Sequence, residues 1–191
     1  MGALSEEIQK VIMIVTHSRK GFTDNIAEAI TEGVNPEIYL DTKSVIKRVG
    51  EIKLQELADA DALVFGSPIY LGYLSGELKH LLDNCYYFFK KFNPRNSLAR
   101  KPAAAFTNGK YKDYNLLKFQ FIPQNLKKLE YILFNNLMMR KIVEGAHFAT
   151  NLENKDPRHP PALTDKQRRT CRKIGSKLAD AVSEKRVFNM Q

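Results

Sequence analysis

The chain has 191 residues, of which 30 are basic and 21 acidic, so its formal net charge at pH 7 is +9. This length is typical of one domain, and 43% hydrophobic with 27% charged residues is a globular balance that excludes wholesale disorder. The longest aliphatic run near the start covers only residues 11–15, whereas a membrane-spanning helix needs about 20 apolar residues. We therefore predict a single domain over residues 1–191 with no membrane span.

Two cysteines, Cys85 and Cys171, lie far apart in the sequence, each on an apolar helical position. Two thiols are too few for an iron–sulfur cluster or a thiolate zinc site, and the four histidines show no metal-ligand spacing. We therefore expect two buried, reduced thiols and no metal. The first six residues carry no apolar signal core, so the sequence predicts a cytoplasmic protein.

The positive charge is concentrated between residues 90 and 128. Ten lysines and arginines lie in this stretch beside a single acidic residue, Asp113, so the stretch alone carries a charge of +9. Such a surface attracts anions, which include phosphates, acidic proteins and nucleic acids.

Short apolar segments alternate with amphipathic ones along the chain. This alternation predicts parallel strands joined by right-handed helical crossovers, and hence an α/β doubly wound sheet with helices on both faces. Ligands of such sheets bind beyond the carboxyl ends of the strands, which directs attention to the loops after Val15, Phe65 and Phe106. We predict strands at residues 11–15, 37–40, 62–65, 102–106 and 142–143, and helices at residues 23–33, within 45–60, at 75–89, from 123 and from 164.

Several residues mark the predicted helix boundaries. Ser75 is the expected N-cap of a helix whose apolar stripe begins at Leu78, and Gly33 suits a helix exit. Thr164 and Gln167 have the spacing of a capping box, so we expect the last helix to begin there.

The first loop joins the first predicted strand to a helix N-terminus. Free backbone N–H groups and the helix dipole favour an anion at such a point, and Gly21 would let the backbone approach it closely. Ser18 and Thr23 add hydroxyl donors, while Arg19 and Lys20 add positive charge. These features suit a terminal phosphate. The alternative is a solvated turn in which Thr23 only caps the helix.

The same loop excludes three other classes of phosphate-handling protein. It lacks the Gly-x-x-x-x-Gly-Lys-[Ser/Thr] pattern of nucleotide hydrolases and the Gly-x-Gly-x-x-Gly turn of dinucleotide-binding domains. A phospho-receiver domain would need acidic residues where this chain has Thr16, His17, Gly66 and Ser67.

The second loop lies within the most specific segment of the chain, Ala-Asp-Ala-Leu-Val-Phe-Gly-Ser-Pro-Ile-Tyr-Leu-Gly-Tyr-Leu-Ser-Gly-Glu-Leu-Lys after residue 59. Together with Ser-x-x-Gly-x-Thr at residues 18–23, this segment resembles the flavodoxin-like flavoproteins. Within them it is most similar to the WrbA-type quinone oxidoreductases and the NAD(P)H-dependent FMN reductases. The likeness covers most of the chain as an order of elements and is specific in these two segments.

The resemblance implies a flavodoxin-like, five-stranded parallel sheet of order 2-1-3-4-5 and one non-covalently bound FMN. A flat amphipathic ring also requires an apolar or aromatic surface, which the second loop offers. By this resemblance the phosphate would lie on Ser18, Arg19, Lys20, Gly21, Phe22 and Thr23, the isoalloxazine would lie against Pro68, Ile69, Tyr70 and Gly72, and the third loop would meet the ring's other edge at Thr107, Asn108, Gly109, Lys110 and Tyr111.

The activity implied by the resemblance is that of an FMN oxidoreductase. NADPH or NADH would reduce the flavin, and a quinone, a free flavin or another small electron acceptor would take the electrons. We assign no catalytic side chain, because in flavin enzymes the cofactor performs the electron transfer. WrbA-type relatives form homo-oligomers, so the resemblance also implies a dimer or tetramer.

Two other functions stay open from the sequence. The first is a flavodoxin-type electron carrier. The carriers that the chain resembles are acidic proteins that dock on basic partners, whereas this chain carries +9, so such a carrier would need an acidic redox partner. Alternatively, a flavodoxin-like domain that has lost FMN could bind partners through the basic and aromatic stretch 110–121, which could equally be a packed loop. No nucleic-acid-binding motif accompanies that stretch, which disfavours nucleic acid as the partner.

Overall fold

The computed structural model describes residues 9–34, 37–91, 98–110, 121–150 and 161–188. Within these ranges, strands and helices alternate as predicted, except that two short additional strands directly follow another strand. The strands are β1 (Lys10–Thr16), β2 (Thr42–Arg48), β3 (Ala62–Tyr70), β4 (Tyr73–Leu74), β5 (Pro102–Lys110), β6 (Arg140–Lys141) and β7 (Ala146–Thr150). The helices are α1 (Phe22–Thr31), α2 (Leu54–Asp59), α3 (Gly76–Cys85), α4 (Phe121–Tyr131) and α5 (Asp165–Phe188), and π-helical turns, Tyr86–Lys91 and Ile132–Asn136, extend α3 and α4.

The seven strands form one sheet whose main path is β2-β1-β3-β5-β6. The neighbours on this path are parallel, and β7 also pairs in parallel with β5, beyond β6. The position predicted for the fifth strand, residues 142–143, is wrong, because these residues lie between two short pieces, β6 and β7, that pair with the same neighbour. Counting these pieces as one strand and leaving out the short antiparallel β4, the order is 2-1-3-4-5, which confirms the prediction.

Two apolar layers cover the sheet, one on each face. On one face, α1 and α5 bury side chains such as Ile26, Ile30 and Leu178 against β1, β3 and β5. On the other face, the residues from α2, α3 and α4 include Leu57, Leu82 and Leu129. Strands β1 and β3 are almost continuously buried because helices lie on both sides of them, as in parallel sheets generally.

Helices α1 and α5 approach each other closely at two glycines. A Cβ on Gly33 would lie 2.1 Å from the backbone oxygen of Arg172, and a Cβ on Gly175 would lie 2.1 Å from the backbone oxygen of Ile30. Any side chain at either position would therefore push the helices apart. Gly33 does follow the end of α1, as predicted, and it also serves this packing.

The second predicted strand is wrong. Residues 37–40 are outside the sheet, with the side chains of Ile38 and Leu40 exposed, while β2 begins at Thr42 and pairs with β1 along its length. Strand β2 lies at the sheet edge and carries Lys43 and Lys47, so it lacks the apolar run of an interior strand. The predicted helix within 45–60 is correspondingly shorter, because only a 3₁₀ turn and α2 follow β2.

Two predicted loops are partly strand. Strand β3 continues from the predicted end at Phe65 to Tyr70, and β5 continues from the predicted end at Phe106 to Lys110. Both extensions add polar or proline residues to a buried strand, which is why apolar patterning ended them early. The rest of the third loop, residues 111–120, lies outside the described residues, as does most of the basic and aromatic stretch.

The predicted helix starts of α3 and α5 are confirmed. The Ser75 hydroxyl accepts a hydrogen bond from the Leu78 backbone N–H at 3.2 Å. In the capping box, the Gln167 N–H donates to the Thr164 hydroxyl at 3.3 Å, and the Thr164 N–H donates to the Gln167 side chain at 2.9 Å.

Both cysteines are buried and unpaired, as predicted. Burial raises the pKa of the Cys85 and Cys171 thiols to about 12, so neither is a reactive thiolate at neutral pH. In the described ranges, no three or more His, Cys, Asp or Glu side chains form a group that could hold a metal ion. Every helix in the described part of the chain is too short or too polar to cross a membrane.

Candidate functional site

Polar residues of four strands meet at the carboxyl edge of the sheet. Thr16 at the end of β1 is in register with Gly66 of β3. Ser67 is in register with Thr107 of β5, which in turn is in register with His147 of β7. Because these strands are parallel, the residues that follow each of them share one rim, which is where ligands of such sheets bind.

The first loop turns into α1 through Gly21, whose φ is +78°. This is the left-handed region, which costs a residue with a Cβ about 1–2 kcal/mol. Gly21 is the N-cap of α1, and no side chain satisfies the first backbone N–H groups of the helix. The left-handed conformation is compatible with the close backbone approach expected at Gly21. The helix N-terminus faces the rim with its N–H groups available to an anion.

Thr23 does not cap α1 and instead connects the helix to β5. Its buried hydroxyl donates a 3.0 Å hydrogen bond to the Asn108 side-chain oxygen. Both side chains are almost fully buried, with 2% and 6% exposed. This contact holds the first predicted binding loop beside the third, although the two are far apart in sequence.

Arg19 links the first loop to the second. Its guanidinium forms a 3.2 Å ion pair with Glu77 of α3 and lies 5.4 Å from the centre of the Tyr70 ring. The pKa of Glu77 is lowered, first by a hydrogen bond from its own backbone N–H and also by Arg19. The carboxylate of Glu77 is therefore charged at neutral pH and holds the arginine over the aromatic ring.

His17 lies beneath this ion pair. Its ring is perpendicular to that of Tyr70, with 6.2 Å between the centres. Its Nε2 is 3.7 Å from Glu77, beyond hydrogen-bond distance, and is buried with no hydrogen-bond partner among the described residues. Buried polar atoms are nearly always satisfied, so this nitrogen indicates a position where a bound molecule can supply the missing partner.

The second loop is a tight hairpin between β3 and β4. Its two turn residues, Leu71 and Gly72, have φ values of +51° and +86°, as two-residue hairpin turns require. The Ser67 hydroxyl accepts from the Ser75 backbone N–H at 3.0 Å, and the Asn125 amide of α4 donates to the Gly72 carbonyl at 2.6 Å. These bonds fix both ends of the corner, which presents the Tyr70 ring at the rim.

His147 is the polar residue of β7 at this rim. Its Nδ1 lies 2.9 Å from the Thr107 hydroxyl, and its Nε2 is buried with no hydrogen-bond partner in the described residues. Burial lowers the pKa of His147 to about 4, so the ring is neutral at pH 7. The histidine is thus satisfied on one side only.

The low pKa of His147 predicts a pH-dependent stability. In the unfolded chain the His147 imidazole has a pKa near 6.5. In the folded protein the same ring takes up a proton only near pH 4. The free energy of unfolding therefore has its full value above about pH 6.5 and decreases as the pH falls towards 4. This one proton lowers it by at most about 1.4 kcal/mol per pH unit. Urea unfolding at several pH values should show a shallower dependence in His147→Gln than in the wild type. Equal slopes in the wild type and His147→Gln would contradict the assignment.

The structure brings most of the predicted residues to one rim. The first-loop residues 18–23 lie beside the hairpin, Thr107 and Asn108 lie in register with Ser67 and Pro68, and Tyr70 is 36% exposed. The other predicted ring residues are more enclosed, with Pro68 and Gly109 buried and Ile69 only 6% exposed. Lys110 ends β5, and Tyr111 lies outside the described residues.

The sequence did not predict the residues that hold the loops of this rim in place. Glu77 and Asn125 hold Arg19 and Gly72, but each stands in an ordinary amphipathic helix where charged and amide residues are common. His147 followed a predicted strand, which was the one available signal of its position.

The order of the sheet and the position of this rim define a flavodoxin-like fold. One of its structural neighbours is the flavodoxin, WrbA-like protein from Agrobacterium tumefaciens, with a TM-score of 0.65 and 18% identity, covering 92% of this chain and 99% of that one. Residues 10–114, more than half of the chain, match the family NADPH-dependent FMN reductase. The chain belongs to this family.

Similar sequences agree with this membership. A protein of Geotalea daltonii named NAD(P)H dehydrogenase (quinone) is 33% identical in an alignment 94 residues long, which covers 38% of this chain and 46% of that protein. A protein of the same name from Geobacter sulfurreducens is 29% identical in an alignment 121 residues long, which covers 51% of this chain and 57% of that protein. The matched part thus spans about half the length of each relative.

Proposed function

We propose that this chain is an FMN-binding oxidoreductase that uses NADPH or NADH to reduce a quinone, a flavin or another small acceptor. The observation that carries the proposal is the joint position of two features at one rim. A left-handed glycine opens α1 with its N–H groups uncapped by a side chain, and the proline–tyrosine corner lies beside it. Membership in the FMN reductase family supports the same activity.

The phosphate of FMN would lie at the start of α1. The backbone N–H groups after Gly21 point out of the helix, and the helix dipole adds a partial positive charge there. Lys20 and Arg19 flank this end with positive charge, although the Arg19 guanidinium also pairs with Glu77 at 3.2 Å. Thr23 is held by Asn108, so its hydroxyl hydrogen is occupied and it would offer the phosphate its N–H rather than its O–H.

The ring of FMN would lie at the hairpin corner. Tyr70, whose ring also contacts Arg19, is 36% exposed and offers an aromatic surface, and the backbone of Gly72 can approach a flat ring because no Cβ intervenes. The unpartnered Nε2 atoms of His17 and His147 are both buried near this rim, and the polar edge of a flavin could satisfy such groups. The residues present therefore fit this cofactor.

Bound FMN would supply the hydride and electron transfer. The chain's own residues then have binding and tuning roles: the first loop holds the phosphate, and the corner packs against the ring. His147, neutral at pH 7, can donate or accept only as an uncharged imidazole, since its pKa is about 4. We assign no proton-transferring side chain.

An absorption spectrum of the freshly purified protein tests the proposal. Bound flavin should give visible absorption, which anaerobic NADPH or NADH should bleach and a quinone should restore. A colourless protein that also fails to take up micromolar FMN would contradict the proposal and favour a flavodoxin-like binding module.

Reversing the charge of the first loop tests its role in holding the phosphate. The double variant Arg19→Glu and Lys20→Glu should raise the Kd for FMN about tenfold, which corresponds to about 1.4 kcal/mol. A control with Lys43→Glu and Lys173→Glu has the same net charge, and both lysines are exposed on other parts of the molecule. Flavin fluorescence quenching measures both affinities. Equal losses would show that only overall charge matters.

A carrier function is the second candidate, because flavodoxins share this fold. The net charge of +9 is the opposite of that expected for an acidic carrier, so an acidic redox partner would have to dock on this chain. The two candidates differ in one measurement: an oxidoreductase is reduced by NAD(P)H alone, whereas a carrier requires a reductase. We further propose a homo-oligomer, a dimer or a tetramer, acting in the cytoplasm, in agreement with the free thiols.

A further inference from the structure

A groove of about 560 Å³ lies between the hairpin and α4, on the side of the sheet that α3 and α4 cover. Tyr73 and Leu74 of β4 form one wall, and Lys127, Lys128 and Tyr131 of α4 form the other. The volume is within the range of about 300–1,000 Å³ that is common for small-molecule sites.

Two tyrosine rings are exposed in this groove. Tyr73 is 65% exposed and Tyr131 is 60% exposed, so neither ring is part of the core. Large exposed aromatic groups in a concave surface are typical of binding sites for flat rings. The aromatic surface is therefore available for a ligand that carries a ring.

Two lysines give the groove its charge. Lys128 lies 5.7 Å from the centre of the Tyr73 ring, and no carboxylate among the described residues lies within 4 Å of Lys127 or Lys128. The third lysine, Lys79, is neutralised by Asp83 at 2.5 Å. The groove thus combines aromatic faces with two positive charges that a ligand's anionic groups could match.

We propose that this groove binds the adenosine phosphate part of the nicotinamide nucleotide, a step that rests on the proposed function. The purine would lie against Tyr73 and Tyr131, and its phosphates would meet Lys127 and Lys128. A small molecule is favoured over an acidic protein segment, because the ring surfaces and the charges lie within one cavity of ligand size.

The groove adjoins the hairpin corner where the flavin ring is proposed to lie. Asn125, which lines the groove, donates to the carbonyl of Gly72 at 2.6 Å, and Tyr73 follows directly in the chain. A ligand in the groove can therefore extend to the rim. This position suits a dinucleotide, which must place its nicotinamide at the flavin while its other half is held elsewhere.

The first test uses ADP and 2′,5′-ADP, which contain the adenosine and phosphates but cannot transfer hydride. In protein labelled with 3-fluorotyrosine, the ¹⁹F resonances of Tyr73 and Tyr131, assigned with Tyr→Phe variants, should shift during the titration. The double variant Lys127→Glu and Lys128→Glu should weaken this binding at least tenfold, while Lys43→Glu with Lys173→Glu should change it less than threefold. Shifts confined to other tyrosines, no binding, or shifts that follow protein concentration instead of ADP would overturn the proposal.

The second test separates the groove from the flavin site in the FMN-loaded protein. The Lys127→Glu and Lys128→Glu variant should raise the KM for NADPH about tenfold and change the Kd for FMN less than threefold. If FMN binds and NADPH reduces it, but the groove variant leaves KM unaltered, the groove assignment fails and the proposed function stands. If ADP shifts both tyrosines but FMN does not bind, the proposed function fails and the groove remains a nucleotide site.

Discussion

The Gly21→Val variant should lose most of its FMN affinity, with a Kd at least 30-fold above that of the wild type. Gly21 has a φ of +78°, a conformation that a β-branched residue adopts only with strain, at a cost of about 1–2 kcal/mol from the Cβ alone. The new side chain would also stand between the phosphate and the backbone N–H groups of α1. Together these effects correspond to about 2–3 kcal/mol, or 30- to 150-fold in Kd.

The control for this prediction is Gly21→Asn, because asparagine enters the left-handed region more readily than other residues with a side chain. It should bind FMN more tightly than Gly21→Val and less tightly than the wild type. Thermal unfolding without FMN shows whether each variant is folded. Wild-type affinity in a folded Gly21→Val protein would mean that the first loop does not hold the phosphate.

The Gly175→Val variant should have a free energy of unfolding about 3 kcal/mol below that of the wild type. A Cβ at this position would lie 2.1 Å from the backbone oxygen of Ile30, and a backbone atom cannot move aside as a flexible side chain can. Overpacking a core costs about 1–3 kcal/mol, which outweighs the few tenths of a kcal/mol that valine gains over glycine in helix propensity. For a domain of this size, the melting temperature should fall by about 6–12 °C.

Gly50→Val is the matched control, because a Cβ at Gly50 meets no atom within 4 Å and its φ is not positive. Calorimetry should give it a melting temperature within about 2 °C of the wild type, as expected for a surface change. A Gly175→Val protein as stable as this control would show that α1 and α5 can separate without loss.

The interior of the fold could be predicted from sequence because its signals are local. The apolar runs in β1 and β3 and the apolar stripe of α3 each identify an element without reference to the rest of the chain. Edge strand β2 carries no such signal, since it ends the order of the sheet, its Lys43 is exposed and its Lys47 pairs with Glu56. Its position depends on pairing with β1, which no local pattern contains.

The features of the site also separate into those that a local sequence pattern indicates and those that depend on the assembled fold. A close backbone approach at Gly21 could be expected from the loop in which it stands, whereas its left-handed conformation is a finding of the structure. The Thr23 hydrogen bond to Asn108 and the Arg19 ion pair with Glu77 connect residues 85 and 58 positions apart, so they follow only from the assembled sheet. The unpartnered nitrogen of His147 likewise depends on what surrounds it in three dimensions.

The buried hydrogen bond between Thr23 and Asn108 connects the start of α1 to the end of β5, so these two parts of the rim should open together. Local opening of either segment would break this buried bond and leave the Thr23 hydroxyl and the Asn108 oxygen without the partner that each has in the other. Hydrogen exchange at the amides after Gly21 should therefore slow together with exchange in β5 when a ligand occupies either part. A ligand bound at the start of α1 would in this way also order the end of β5, where the proposed flavin ring would bind.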